Sequence, residues 1–181
     1  MGRKPSIDRD AVLDVAEAIV RDSGAAGLTI DAVARAAGIS KGGVQSAFGT
    51  KDGLIDALFT RWEASYQALF APPPGATPAQ RVRAHARATH GADALSQAKA
   101  AGLMAALIQA PEHLATVRAW YARLADGVDT GTDAGRRAWL ALLATEGAFL
   151  LRHFGLMAMS DAQWDTSFAL IDQVLAPQEA A

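Results

Sequence analysis

The segment 29–48 constrains the fold of this chain more than any other stretch. It contains two short runs in which apolar residues recur at the spacing of a helix. Val33 and Ala34 mark the inner face of the first run, and Val44 and Phe48 mark that of the second. Because only a short turn separates the runs, the pattern predicts two helices that meet at a steep angle and pack their apolar faces together.

Capping residues bound both runs. Thr29 and Ser40 stand where an N-cap side chain accepts a free amide hydrogen, and Gly38 and Gly49 stand where a glycine commonly ends a helix. The glycines of this region could also suggest a phosphate-binding loop, but such a loop follows a buried strand, and here a helical run precedes it. The order helix, three-residue turn, helix is typical of proteins that place the second helix in the major groove of DNA.

Composition and charge narrow the class of protein. The 181 residues, of which 51% are hydrophobic, can form a sizeable core in one or two small domains. No run resembles a strand, and without cysteine the chain has no disulfide bonds or thiolate metal sites. The net charge of −2 means that any DNA-binding surface must be local. Because no run resembles a strand, we expect an all-α protein. Because no apolar segment has the length of a membrane span or a signal sequence, we expect it to be cytoplasmic.

Breakers and caps organise the rest of the chain. The proline-rich run 71–77 is a linker candidate, and capping boxes at Thr77 and Ser160 each predict the start of a helix. The helices predicted outside the helix-turn-helix cover 7–22, 51–69, 78–94, 96–109, 111–125, 133–157 and 161–175.

The segment 9–58 resembles the DNA-binding domain of the TetR/AcrR family of transcriptional regulators. Thr29, the turn 37–40, Lys41-Gly42, Phe48 and Lys51 match the pattern of that family. The resemblance implies a TetR-like all-α fold of about nine helices. It also implies a ligand-responsive regulator, a repressor that binds a palindromic DNA operator as a homodimer.

The same resemblance implies a division of the chain and a set of DNA-binding residues. We expect a helix-turn-helix domain over 1–58 and a helical effector-binding and dimerisation domain over 59–181. Residues 1–60 carry seven basic and eight acidic groups, so the cations near the second helix of the motif have to provide the attraction for phosphate. Arg3 and Lys4 form an arm that either reaches the minor groove or stays solvated. The full expected set is Thr29, Arg35, Ser40, Lys41, Gly42, Gly43, Gln45, Ser46 and Lys51, with Arg3 and Lys4.

Two departures from the family pattern concern the residues that face DNA. Gln45 and Ala47 stand where the family usually has aromatic side chains. Gln45 can either pair with adenine through its amide or remain solvated. Gly42 and Gly43 weaken the helix, and they either let its backbone approach the duplex or leave it frayed until DNA binds.

The last two predicted helices are apolar over a wide arc, which indicates a second buried face. The simplest partner for that face is a two-fold mate in a four-helix interface, and a larger core within one chain is the alternative. The expected dimer residues are Leu140, Leu143, Gly147, Leu150, Leu151, Phe154, Trp164, Phe168, Ile171 and Leu175.

An effector pocket is expected among the middle helices, because the family resemblance implies one. With few polar groups it suits a small apolar or aromatic molecule. Its candidate residues are Trp62, Tyr66, Phe70, Met104, Leu107, Ile108, Trp120 and Tyr121. The sequence has no motif for catalysis, a cofactor or a metal. The remaining alternative is a helical adaptor whose helix-turn-helix no longer binds DNA.

Overall fold

The computed structural model describes residues 7–109 and 114–176, apart from the side chains of Ala25 and Gln109. Within these ranges the chain forms nine α-helices and no strand, which confirms the all-α prediction. The helices are α1 (Arg9–Gly27), α2 (Ile30–Ala36), α3 (Lys41–Phe48), α4 (Lys51–Leu69), α5 (Pro78–Gly91), α6 (Ala94–Gln109), α7 (Leu114–Leu124), α8 (Asp133–His153) and α9 (Asp161–Val174).

Four helices, α2, α3, α5 and α9, begin directly after the capping residues predicted from the sequence. The Thr29 hydroxyl accepts from the amide of Ala32 at 3.0 Å, and the Ser40 hydroxyl accepts from the amide of Gly43 at 3.0 Å. Reciprocal capping boxes open α5 at Thr77 and α9 at Ser160. Each cap spans three residues along the chain, so it needs no tertiary contact to form.

The C-terminal ends of α1 and α8 differ from the predicted ones. Gly24 does adopt a non-helical conformation, with φ of 68° and ψ of −178°, but α1 resumes beyond it and ends at Gly27. Helix α8 ends at His153 instead of residue 157, and Gly155 follows with φ of 67°. Because apolar residues continue through that turn, the hydropathy pattern predicts a helix that is longer than the one in the structure. The predicted start of α7 at Pro111 lies outside the described residues.

The chain divides into two compact units. The first comprises Met1–Ala64 and Ala98–Ala115, and the second comprises Ser65–Gln97 and Thr116–Ala181. Each unit therefore consists of two separate segments of the chain, and part of α6 belongs to the same unit as α1 to α3 and most of α4. The expected boundary after residue 58 remains a prediction.

In the first unit the helix-turn-helix rests on an apolar core and an ionic cluster. Glu17 of α1 pairs with Lys99 of α6 at 2.6 Å and with Arg61 of α4 at 3.5 Å, while Arg61 also pairs with Asp14. This carboxylate thus joins α1, α4 and α6 within the first unit. The largest fully buried apolar side chains around α1 to α4 are Leu28, Val33, Val44, Leu54 and Ile55.

In the second unit α5 packs against α8 and α9, and α8 packs against α9. Val82 of α5 and Ala138 of α8 are completely buried. The side chain of Thr145 is buried too, and its hydroxyl donates to the carbonyl of Ala141 within α8 at 2.8 Å. Within the described ranges, no helix is long and apolar enough to cross a membrane.

Candidate nucleic-acid interface and effector cleft

The orientation of α3 is set by its two apolar residues. Val44 is completely buried and Phe48 is 8% exposed. At 100° per residue, this packing turns the opposite side of the helix outward. Gly42 and Ser46 are exposed on that side, and Lys41 and Gln45 are exposed at its margins, next to the buried face. Of the predicted base-facing residues of α3, four are therefore exposed, and Gly43 is half-buried.

The charges around α3 are of two kinds. Lys41 forms an ion pair with Asp31 of α2 at 2.6 Å, so part of its charge is neutralised within the chain. Arg35 and Lys51 are exposed, and their side chains have no partner among the described residues. The Thr29 hydroxyl is exposed at the start of α2 and accepts one amide hydrogen, which leaves its own proton to donate. Arg3 and Lys4 lie outside the described residues.

Arg9 contacts the C-terminal end of α3, a role that no sequence pattern indicates. Its guanidinium lies 4.4 Å from the centre of the Phe48 ring and also donates to the carbonyl of Ala47. The contact joins residues 38 apart in the chain, so no local pattern could have indicated it. It ties the start of α1 to the helix whose exposed face is available for DNA.

The second unit contains a chain of four hydrogen-bonded side chains, each from a different helix. The Tyr66 hydroxyl lies 2.7 Å from Nδ1 of His85, and Nε2 of His85 lies 2.6 Å from Oε1 of Glu146. The Tyr121 hydroxyl donates to Oε2 of Glu146 at 2.6 Å. We call these four residues the polar cluster. In a neutral imidazole, the proton on Nε2 points to the carboxylate and Nδ1 accepts from Tyr66, because a carboxylate only accepts.

Burial raises the pKa of the two tyrosines of the polar cluster. His85 is 3% exposed and Tyr66 is 9% exposed. Burial, and then the charge of Glu146, raises the pKa of Tyr66 and of Tyr121 well above 10.0, the ordinary value for tyrosine. Both phenols therefore remain protonated hydrogen-bond donors.

A small cleft opens beside the polar cluster. It holds about 60 Å³ and is lined by Tyr66, Gln67, Phe70, Trp120, Arg123 and Leu124. The rings of Tyr66 and Phe70 stack with their centres 5.3 Å apart, and Trp120 meets Tyr66 edge-on at 5.4 Å. Tyr66 thus belongs both to the wall of the cleft and to the polar cluster.

Three of the eight predicted pocket residues line this cleft, namely Tyr66, Phe70 and Trp120. Tyr121 packs behind Trp120, with the ring centres 4.9 Å apart. The other four belong to the first unit and are not among the lining residues: Trp62, Met104, Leu107 and Ile108. His85 and Glu146, the central pair of the polar cluster, were not predicted, since isolated histidine and glutamate residues carry no spacing signal.

The apolar surface on α8 and α9 differs from the predicted one. On α8, Leu140 and Leu143 are 56% and 52% exposed, and Phe154 just beyond it is 38% exposed. Gly147, Leu150 and Leu151 are half-buried. The structure corrects the prediction for α9, because its four predicted residues have less than 10% of their surface exposed and pack inside their own subunit: Trp164, Phe168, Ile171 and Leu175. The exposed apolar side chains that the prediction lacked are Trp139, Leu156, Met157 and Leu170.

A helix-turn-helix with an open second helix, followed by a separate helical region, defines a class of DNA-binding transcription regulators. The family model for bacterial regulatory proteins of the tetR family matches residues 12–58. The model for the tetracyclin repressor-like C-terminal domain matches residues 79–176. The chain belongs to the TetR family of bacterial regulatory proteins, as the resemblance in its helix-turn-helix had predicted.

Solved structures share the fold. A transcriptional regulator from Rhodococcus sp. Rha1 is 21% identical, with a TM-score of 0.70 over 93% of this chain and 96% of that chain. A TetR family transcriptional regulator from Pseudomonas syringae pv. tomato str. DC3000 is 19% identical, with a TM-score of 0.62 over 95% of each chain. The multidrug binding protein EbrR, complexed with imidazole, is 22% identical, with a TM-score of 0.57 over 96% of this chain and 97% of that chain. No curated protein matches the sequence.

Proposed function

We propose that this protein is a ligand-responsive repressor that binds a palindromic operator as a homodimer in the cytoplasm. The observation that carries the proposal is the exposed face of α3, flanked by two cations, Arg35 and Lys51, that have no partner within the described parts of the chain. Because these two cations are not neutralised within the described parts of the chain, they are available to pair with phosphate groups on either side of a major groove.

In the proposed complex, α3 lies in the major groove and its exposed residues face the bases. Arg35, Lys51 and the Thr29 hydroxyl bind phosphates on either side, and Ser40 positions the start of α3. Lys41 keeps its ion pair with Asp31 and contributes less than its position suggests, because that carboxylate already offsets its charge. With so few free cations per subunit, binding at physiological salt requires two subunits.

The proposed dimer forms through the exposed apolar surface of α8 and α9. Trp139, Leu140 and Leu143 share one side of α8, and Leu170 is exposed on α9. A Cβ added at Gly147 would meet no atom within 4 Å, so this position leaves room for a partner helix to come close. Isologous packing of this surface on its two-fold copy would bury side chains that one subunit leaves in water.

The cleft beside the polar cluster is the proposed effector site. Its 60 Å³ is far below the roughly 300–1,000 Å³ of pockets that enclose drug-sized ligands, so an effector has to move the aromatic walls or be small. The structure of EbrR with imidazole, a small aromatic compound, supports a small apolar or aromatic effector. An effector that turned the Tyr66 ring would break its hydrogen bond to His85, and this change is the proposed first step of the response.

The proposal is tested by selecting bound sequences from a random DNA library with the full-length protein and then titrating the selected operator with salt. We expect a palindromic consensus. The Lys51→Ala variant should lower the magnitude of the log–log salt slope by about 2 for a dimer, since each subunit loses one phosphate contact. Arg21→Ala is the matched control, because Arg21 is an exposed cation already paired with Asp22. Binding with no consensus, unaffected by Lys51→Ala, would favour the helical adaptor instead.

A further inference from the structure

We propose that Gln45 selects an adenine in each operator half-site, and that Gly42 lets α3 approach the bases closely enough for that contact. The inference rests on the proposed function, since it requires α3 to lie in a major groove. One side chain would thus determine the identity of one base pair in each half-site.

The position of Gln45 follows from how α3 is anchored. Val44 and Phe48 are buried, and Gln45 is exposed at the edge of the face that they form. Arg9 holds the far end of the helix through the Phe48 ring and the Ala47 carbonyl. Because α3 is held by its buried face and at its C-terminal end, little backbone entropy is lost when the helix places Gln45 against a base.

The other exposed residues of α3 are less able to identify a base. Lys41 is held by Asp31 at 2.6 Å, Gly42 has no side chain, and the hydroxyl of Ser46 is short. Gln45 combines length, exposure and an amide that has no partner among the described residues. It is therefore the side chain of this helix best placed to reach a base edge.

The chemistry of the amide then selects the base. A carboxamide presents one acceptor and one donor in a single plane, and the major-groove edge of adenine presents the complementary N7 acceptor and N6 donor. Guanine presents two acceptors on the same edge, so the amide oxygen would face the guanine O6 without a proton between them. Gln45 thus favours adenine over guanine by both attraction and repulsion.

Gly42 lies three residues before Gln45 and shares its face of the helix. A Cβ built at Gly42 would lie 3.9 Å from the Ser40 hydroxyl oxygen and meet nothing closer, so packing within the chain does not require glycine there. Gly43 differs, because its added Cβ would lie 3.2 Å from Cδ1 of Ile7. Since glycine disfavours a helix relative to alanine, its presence at position 42 indicates a need for space outside the protein.

The test uses the full-length protein on its selected operator, with each half-site adenine replaced in turn by guanine or by 7-deazaadenine, which lacks the N7 acceptor. At one position per half-site, we expect each replacement to weaken wild-type binding by about 5- to 150-fold. Gln45→Ala should abolish that preference and leave the others intact. Gln45→Arg should shift the preferred base at the same position to guanine. Gln173→Ala, which changes an exposed glutamine on α9, serves as the matched control.

Gly42→Ala provides a second, independent measurement. It should raise the thermal midpoint of the free protein and still weaken operator binding at least tenfold. A consensus whose base preferences all survive Gln45→Ala would overturn the inference and leave the proposed function standing. If the library yields no consensus at all, the proposed function and this inference fail together.

Discussion

Nε2 of His85 lies 2.6 Å from Oε1 of Glu146, and each of these two residues also bonds a tyrosine, so that a single polar chain links α4, α5, α8 and α7. The protein has only two tyrosines, Tyr66 and Tyr121, and both belong to this cluster. Any signal from tyrosine ionisation therefore reports on the polar cluster alone.

Neither tyrosine should ionise while the protein is folded. Burial and the Glu146 charge raise both pKa values above the 10.0 of an ordinary phenol, so the unfolded chain loses these protons first as the pH rises. The stabilisation is present below about pH 10 and falls at higher pH, because the unfolded state is then favoured by ionisation. We expect tyrosinate absorbance to appear together with the loss of helical circular dichroism. Tyrosinate formation near pH 10 with the helices intact would contradict this account of the polar cluster.

Removing the Tyr66 hydroxyl should destabilise the protein more than removing that of Tyr121. Tyr66→Phe leaves Nδ1 of the buried His85 without its hydrogen-bond partner, which costs about 1–3 kcal/mol. Tyr121→Phe removes the hydroxyl that donates to Oε2 of Glu146. The Glu146 side chain is 19% exposed, so water can replace that hydroxyl, and the cost should be about 1 kcal/mol or less. Urea denaturation of the two variants measures the difference. Equal costs would show that water reaches both ends of the cluster.

Arg9→Ala should reduce the free energy of operator binding by more than it reduces the free energy of unfolding. The substitution removes a cation–π contact with Phe48 and a hydrogen bond to Ala47, together worth about 1–2 kcal/mol at an exposed site. It also frees the end of α3, so we expect operator affinity to fall beyond what a lost cation explains. Lys51→Ala gives the effect of losing one cation, and Arg21→Ala gives that of an exposed arginine elsewhere on α1. If Arg9→Ala lowers affinity no more than Lys51→Ala, the positioning role is wrong.

A charge placed on the exposed face of α8 should separate the proposed dimer. Leu143→Glu changes a residue that is 52% exposed, so the subunit keeps its fold while the interface would have to bury a carboxylate. Sedimentation velocity should show monomers, and operator binding should fall with the loss of the second half-site contact. Leu69→Glu is the control, because Leu69 is 51% exposed on α4, outside the proposed interface. A Leu143→Glu protein that still sediments as a dimer would place the interface on another surface.

Much of the fold could be predicted from residues close together in the sequence. Thr29, Ser40, Thr77 and Ser160 were each identified as caps from a pattern of three or four residues, and the same short range sets the turn of the helix-turn-helix. The inner face of α3 was equally clear, because Val44 and Phe48 are four residues apart and their neighbours on the helix are small or polar.

The inner face of α9 was not predicted correctly. The sequence pattern predicts Trp164, Phe168 and Ile171 as a surface for a partner, yet they form part of the core of their own subunit, and Leu170 is the exposed residue. Apolar side chains cover so wide an arc of this helix that periodicity does not show which side meets α5 and α8. That choice depends on how the three helices pack.

The helices, their caps, the helix-turn-helix and the exposure of Gln45 could be predicted from the sequence, because each depends on contacts within about one or two helical turns. The bonded pair of His85 and Glu146, which are 61 residues apart, and the contact of Arg9 with α3 are visible only in the folded chain. Single polar residues on separate helices carry no period or spacing. Their partners are fixed only when the apolar faces pack and force each buried donor to find an acceptor.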